Sequence, residues 1–68
     1  MVIAQELRFD YPKMEVKASL FADTQSEVSS TMEIEGMPDG YTLAAGSSVL
    51  TASGEVAFLK SDKTWNWL

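Results

Sequence analysis

The last third of the chain, Gly46 to Leu68, alternates apolar and polar residues with a period of two and is cut twice by turn formers. A strand points successive side chains to opposite faces, so Val56 and Phe58 share one side and Ala57 and Leu59 the other. In Thr64-Trp65-Asn66-Trp67-Leu68 both indoles share a face, against Thr64 and Asn66. The breaks are Ala52-Ser53-Gly54 and Ser61-Asp62-Lys63, small and polar residues of the kind tight turns select. Consecutive strands joined by such short loops are antiparallel neighbours, so the segment predicts a β-meander.

The first half gives a second clear alternation. Met14, Val16, Ala18, Leu20 and Ala22 fall on one face, with Glu15, Lys17, Ser19 and Phe21 on the other, the pattern of a half-buried strand. Thr24 followed three residues later by Glu27 fits a capping box, and Ser29-Ser30-Thr31 limit any helix there to one or two turns. Thr31 to Glu35 alternates again, with Met32 and Ile34 inward. Met37-Pro38-Asp39-Gly40 signals a turn, and Tyr41-Thr42-Leu43 a short strand. Residues 1–12 show no decisive period, and Pro12 disfavours a helical Tyr11. The expected architecture is therefore mainly β. It is a small antiparallel meander of four to five short strands, residues 13–68, with at most one short helix near 24–29 and an extended N-terminal arm, residues 1–12.

A chain of 68 residues has little core to stabilise it, and small folds usually add disulfides, a metal or a partner chain. This one has no cysteine and no histidine, which removes disulfides, thiolate metal sites and the commonest general base. Oligomerisation or docking on a larger assembly is the support that remains. The net charge of −5 argues against nucleic acid and anionic membranes as partners. No span reaches the ~20 apolar residues of a membrane helix. Met1-Val2-Ile3-Ala4-Gln5-Glu6 has neither the basic opening nor the apolar run of a secretory signal.

Candidate chemistry is sparse. Glu33 and Glu35 share a strand face at ~7 Å, a spacing any polar strand produces, and a working acid–base pair needs a cleft to raise one pKa. The serines lack an evident base, and no Asp-rich loop has calcium-binding spacing. Gly46-Ser47-Ser48 matches no phosphate-binding fingerprint. No catalytic residue, metal, cofactor or small-molecule substrate is expected. The large aromatics are the interaction candidates: Phe9 and Tyr11 in the arm, and Trp65 and Trp67 on the last strand. One indole is expected to pack inward against Phe58 and Val49, and the other to meet a neighbour.

Beyond composition and period, a string of residues carries a resemblance. Met37-Pro38-Asp39-Gly40-Tyr41-Thr42-Leu43, Gly46-Ser47-Ser48, Thr51-x-x-Gly54-Glu55, Leu59-x-x-Asp62 and Thr64-Trp65 resemble the C-terminal module of small tailed-phage virion-associated proteins. Phe21-Ala22-Asp23-Thr24-x-x-Glu27-Val28 is similar to the segment that precedes it, so the likeness spans residues 20–68. This chain departs from the pattern at Asp62-Lys63-Thr64, which lacks the turn glycine, and at Ala52-Ser53-Gly54, which replaces an aspartate-glycine. The resemblance implies a non-enzymatic bacteriophage structural or accessory protein: a capsid decoration, head fibre, or neck or tail component. It would assemble in the bacterial host cytoplasm with copies of itself or with other virion proteins. The competing expectation is a small acidic inhibitor that mimics nucleic acid, and a stand-alone monomer is the third. An inhibitor should gather Glu33, Glu35, Asp39 and Glu55 on one face, whereas a structural subunit should scatter them and expose an apolar patch.

Overall fold

The computed structural model describes residues 1–29 and 32–68. These form seven strands in one sheet: β1 (Val2–Asp10), β2 (Glu15–Ala22), β3 (Ile34–Glu35), β4 (Thr42–Leu43), β5 (Ser48–Thr51), β6 (Val56–Leu59) and β7 (Trp65–Trp67). The order across the sheet is β3-β1-β2-β5-β6-β7, with β4 also on β2. The protein is mainly β, as the alternation requires, and β5-β6-β7 is the expected antiparallel meander.

The rest of the sheet is mixed, with more strands than the four to five expected. β3 lies parallel to β1, and both β4 and β5 lie parallel to β2. Parallel neighbours need a crossover of a dozen or more residues, and the stretch from Asp23 to Tyr41 supplies it. Within it, Gln25–Glu27 forms a single 3₁₀ turn where a short helix was expected. The Thr24 N–H donates to Glu27 Oε1 at 3.0 Å, as a capping box should. Thr31, the expected start of the next strand, lies outside the described residues.

The N-terminal stretch is extended, but it is not an arm. Val2–Asp10 is the longest strand and pairs antiparallel along the whole of β2. Its period is hidden by a register shift between Ala4 and Glu6. Val2 and Ala4 lie on the core side before the bulge and Leu7 after it, so a strict two-residue template loses phase at Gln5. Tyr11 is not extended either: Tyr11–Lys13 is a 3₁₀ turn around Pro12, closed by Met14 N–H to the Tyr11 carbonyl at 3.2 Å. Met14 leaves that turn in the left-handed region at φ 53° and is exposed, so the inward stripe of β2 begins only at Val16.

That stripe is the core. Val16, Ala18, Leu20 and Ala22 are buried, together with Val2, Val49, Ala57 and Leu59. The crossover lays Val28, Met32 and Ile34 against one side of the cluster, and Trp65 and Trp67 lean on it from the other. β4 and β5 continue one another along β2, interrupted by a bend at Ala44 to Ser47. Thr42 and Ala44 donate to Met14 and Val16, and after the bend Ala52 donates to Ala22. Gly46 sits in the bend at φ +93°, where a Cβ would come 2.9 Å from Lys17 Cε. The positive φ favours glycine there, while the flexible end of Lys17 can move aside.

Candidate assembly surfaces

The four interaction candidates separate into two places. Trp65 lies opposite Leu59 and Trp67 opposite Ala57, so both indoles share the core face and both are half-buried. Phe58 points to the other side of the sheet, so neither indole packs on it as expected. The reason is the register: Phe58 is paired with Asn66, and a paired residue shares the face of its partner.

Phe9 and Tyr11 come together at the tip of the β1–β2 hairpin, where Tyr41 joins them. The Phe9 and Tyr11 rings stack with centroids 5.6 Å apart, and Tyr41 meets Phe9 edge-on at 5.2 Å and Tyr11 at 6.3 Å. Tyr11 remains 66% exposed, so this is a surface cluster that trades part of its water contact for ring contact. Tyr41 arrives through the turn that contains Gly40 at φ +88°, which also places Gly40 near the Met14 methyl.

A further apolar surface was not singled out by sequence. Ile3 pairs with Phe21, Phe21 with Leu50, and Leu50 with Val56, so these side chains form a row across β1, β2, β5 and β6. Phe58 stands beside the row, one pair along β6. All lie on the face away from the core, and Ile3, Leu50 and Phe58 are 39–44% exposed. The signal was present in β6, where Val56 and Phe58 are as apolar as the inward Ala57 and Leu59. A strand apolar on both faces normally has both faces covered. Further along the same face the row gives way to polar pairs, Glu6 with Ser19 and Arg8 with Lys17.

On the core side, an open cleft of about 710 Å³ lies between the crossover and the meander, lined by Met32, Met37, Tyr41, Leu43, Leu59 and Trp65. Lys63 reaches its rim and donates to the Leu43 carbonyl at 2.7 Å and to Glu15 Oε2 at 3.3 Å. Glu33 and Glu35 are exposed on either side of Ile34 at the outer strand. Among the described residues, no group of three or more acidic side chains is arranged to hold a metal ion. No helix among the described residues is long and apolar enough to cross a membrane.

The turn at Ser61–Thr64 forms without a glycine. Lys63 adopts φ 68°, the left-handed conformation that glycine takes freely. Asp62 holds the turn instead. Its Oδ1 accepts from the Thr64 hydroxyl at 2.6 Å and from the Thr64 N–H at 3.1 Å, and these bonds keep the carboxyl below its ordinary value of 3.8.

Comparison with protein-family models, with characterised proteins and with solved structures gives no match for this chain.

Proposed function

We propose that this protein is a non-enzymatic structural or accessory component of a tailed-phage particle, such as a capsid decoration, head fibre, or neck or tail component. It works by assembly with other copies or other virion proteins in the bacterial cytoplasm. The observation that carries the reading is the apolar row Ile3-Phe21-Leu50-Val56 with Phe58, laid across four strands on an open sheet face. Such a row lowers the free energy of a complex when another surface removes it from water, at about 25 cal/mol per Å² less the cost of association. The resemblance over residues 20–68 supplies the phage context.

The charge distribution supports assembly over inhibition. Glu35 lies beside Ile3 at one end of the row and Glu55 follows the hairpin at the other, roughly 19 Å away across four interstrand spacings. Asp39 is next to Gly40, which approaches Met14 at the start of β2, whereas the Glu55 hairpin adjoins Ala22 at its end. A nucleic-acid mimic needs these carboxylates on one surface; Glu33 and Asp39 line one cleft, whereas Glu35 and Glu55 lie four strands apart and Glu55 turns to Thr51 on the core face.

The experiment is proteomic. Particles from a culture producing the phage should contain peptides of this chain in fixed proportion to a head or tail protein through a density gradient. The Leu50→Asp variant should fold but drop out of the particles. Recovery only in the particle-free fraction would overturn the reading.

A further inference from the structure

We infer that β7 is a docking edge for the β7 strand of a second copy, joining two sheets into one across a two-fold axis at Asn66. Proteins normally guard the edges of a sheet with charge, proline, bulges or very short strands. The other edge of this sheet is guarded by charge, a bulge and a very short strand. β3 has two residues, with Glu33 and Glu35 on either side of Ile34. Beyond Ile3, β1 carries the bulge at Ala4/Glu6 and then Glu6, Arg8 and Asp10.

β7, three residues long, is also short, but it lacks the other protections. Thr64-Trp65-Asn66-Trp67-Leu68 contains no charge and no proline, and its pairing with β6 runs without a shift. Lys60 N–H donates to the Thr64 carbonyl and Leu68 N–H to the Val56 carbonyl, so Thr64, Asn66 and Leu68 turn their main-chain groups toward β6. Alternation turns the N–H and C=O of Trp65 and Trp67 outward, where the sheet order places no further strand among the described residues.

Charge decides for a second copy as the occupant. Two-fold pairing sets a strand against itself, so a charged side chain on the axis meets its own like charge. On a chain of net charge −5, the uncharged β7 is the edge that avoids this. Of the antiparallel registers that the outward groups allow, the one centred on Asn66 uses both tryptophans of each copy. Trp65 then exchanges both hydrogen bonds with the second copy's Trp67, and the reverse, with Cα atoms about 5.5 Å apart. The indoles pair across the seam on the core face, and the two Asn66 residues meet at about 4.5 Å on the opposite face. Both apolar rows stay on the same side of the joined sheet. The pairing deepens the assembly reading and rests on it.

Sedimentation equilibrium of the full chain across the micromolar range tests it. The expected result is a species of twice the 7.5 kDa chain mass. Asn66→Lys and Asn66→Glu should each weaken it about tenfold or more, because like charges then meet at the axis. An equimolar mixture of the two variants should restore the dimer, which also shows that both fold. A wild-type chain that stays monomeric, or variants that dimerise like the wild type, would overturn the edge pairing. A monomer in solution that still co-purifies with particles removes only this inference, whereas a dimer absent from particles sustains it and removes the phage reading.

Discussion

The Ser47 hydroxyl takes the place of a missing backbone partner for Ala18. Where the bend at Ala44 to Ser47 lifts the chain off β2, the Ala18 N–H donates to Ser47 Oγ at 3.1 Å, and Ser47 Oγ–H donates to the Ala44 carbonyl at 2.8 Å. Ser47 is fully buried, so water cannot substitute. Replacing it with alanine leaves the Ala18 N–H without a partner in the core, which costs about 1–3 kcal/mol. In a domain of this size each kcal/mol lowers Tm by about 4–8 °C, which calorimetry of Ser47→Ala reads directly. An unchanged Tm would mean that the bend closes over and the ladder heals.

Deleting residues 1–11 should unfold the protein rather than only impair its assembly. That segment contains β1, whose pairing covers all of β2 and whose Val2 is part of the core. Its removal exposes the buried stripe and one side of the central ladder. Dispersed amide resonances in the truncated chain would contradict this.

Lys63 sets two effects against each other. Its left-handed backbone costs about 1 kcal/mol or somewhat more relative to glycine. Its ammonium gives a part-exposed ion pair with Glu15, worth under about 1 kcal/mol, and a bond to the Leu43 carbonyl. Lys63→Ala and Lys63→Gly both lose these contacts, and only glycine sheds the strain. The alanine variant should therefore be the less stable by about 1 kcal/mol in urea denaturation. The reverse order would show that the turn does not need the left-handed conformation.

Asp62 makes the β6–β7 turn acid-sensitive. Its folded pKa is depressed by the bonds from Thr64, so its contribution is fully present above 3.8 and fades as pH falls through the lower folded value. The Thr64 amide resonance should report a midpoint below 3.8, and Asp62→Asn should remove the transition. A midpoint at or above the ordinary aspartate value would mean that the turn does not hold its carboxylate.

What was legible in the sequence was whatever depends on neighbours along the chain. The inward stripe Val16-Ala18-Leu20-Ala22, the β5-β6-β7 meander, the Thr24/Glu27 cap and the turn before Tyr41 all follow from local period and turn chemistry. The strand Val2–Asp10 was not legible, because one inserted residue breaks the alternation that identifies a strand. The parallel partners of β1 and β2 were not either, because period two reveals which residues share a face but not which strand lies alongside.

The candidate surface divides along the same line. The aromatic residues were visible as types, but only the register put both indoles on the core face and Phe9, Tyr11 and Tyr41 in one cluster. The row from Ile3 to Val56 is built from single residues of two hairpins, β1–β2 and β5–β6, brought together by the distant pairing of Phe21 with Leu50. The amino-acid order made each strand two-faced. Pairing between distant segments, stabilised by burying one of those faces, decided that the other would gather its apolar side chains into a continuous open surface.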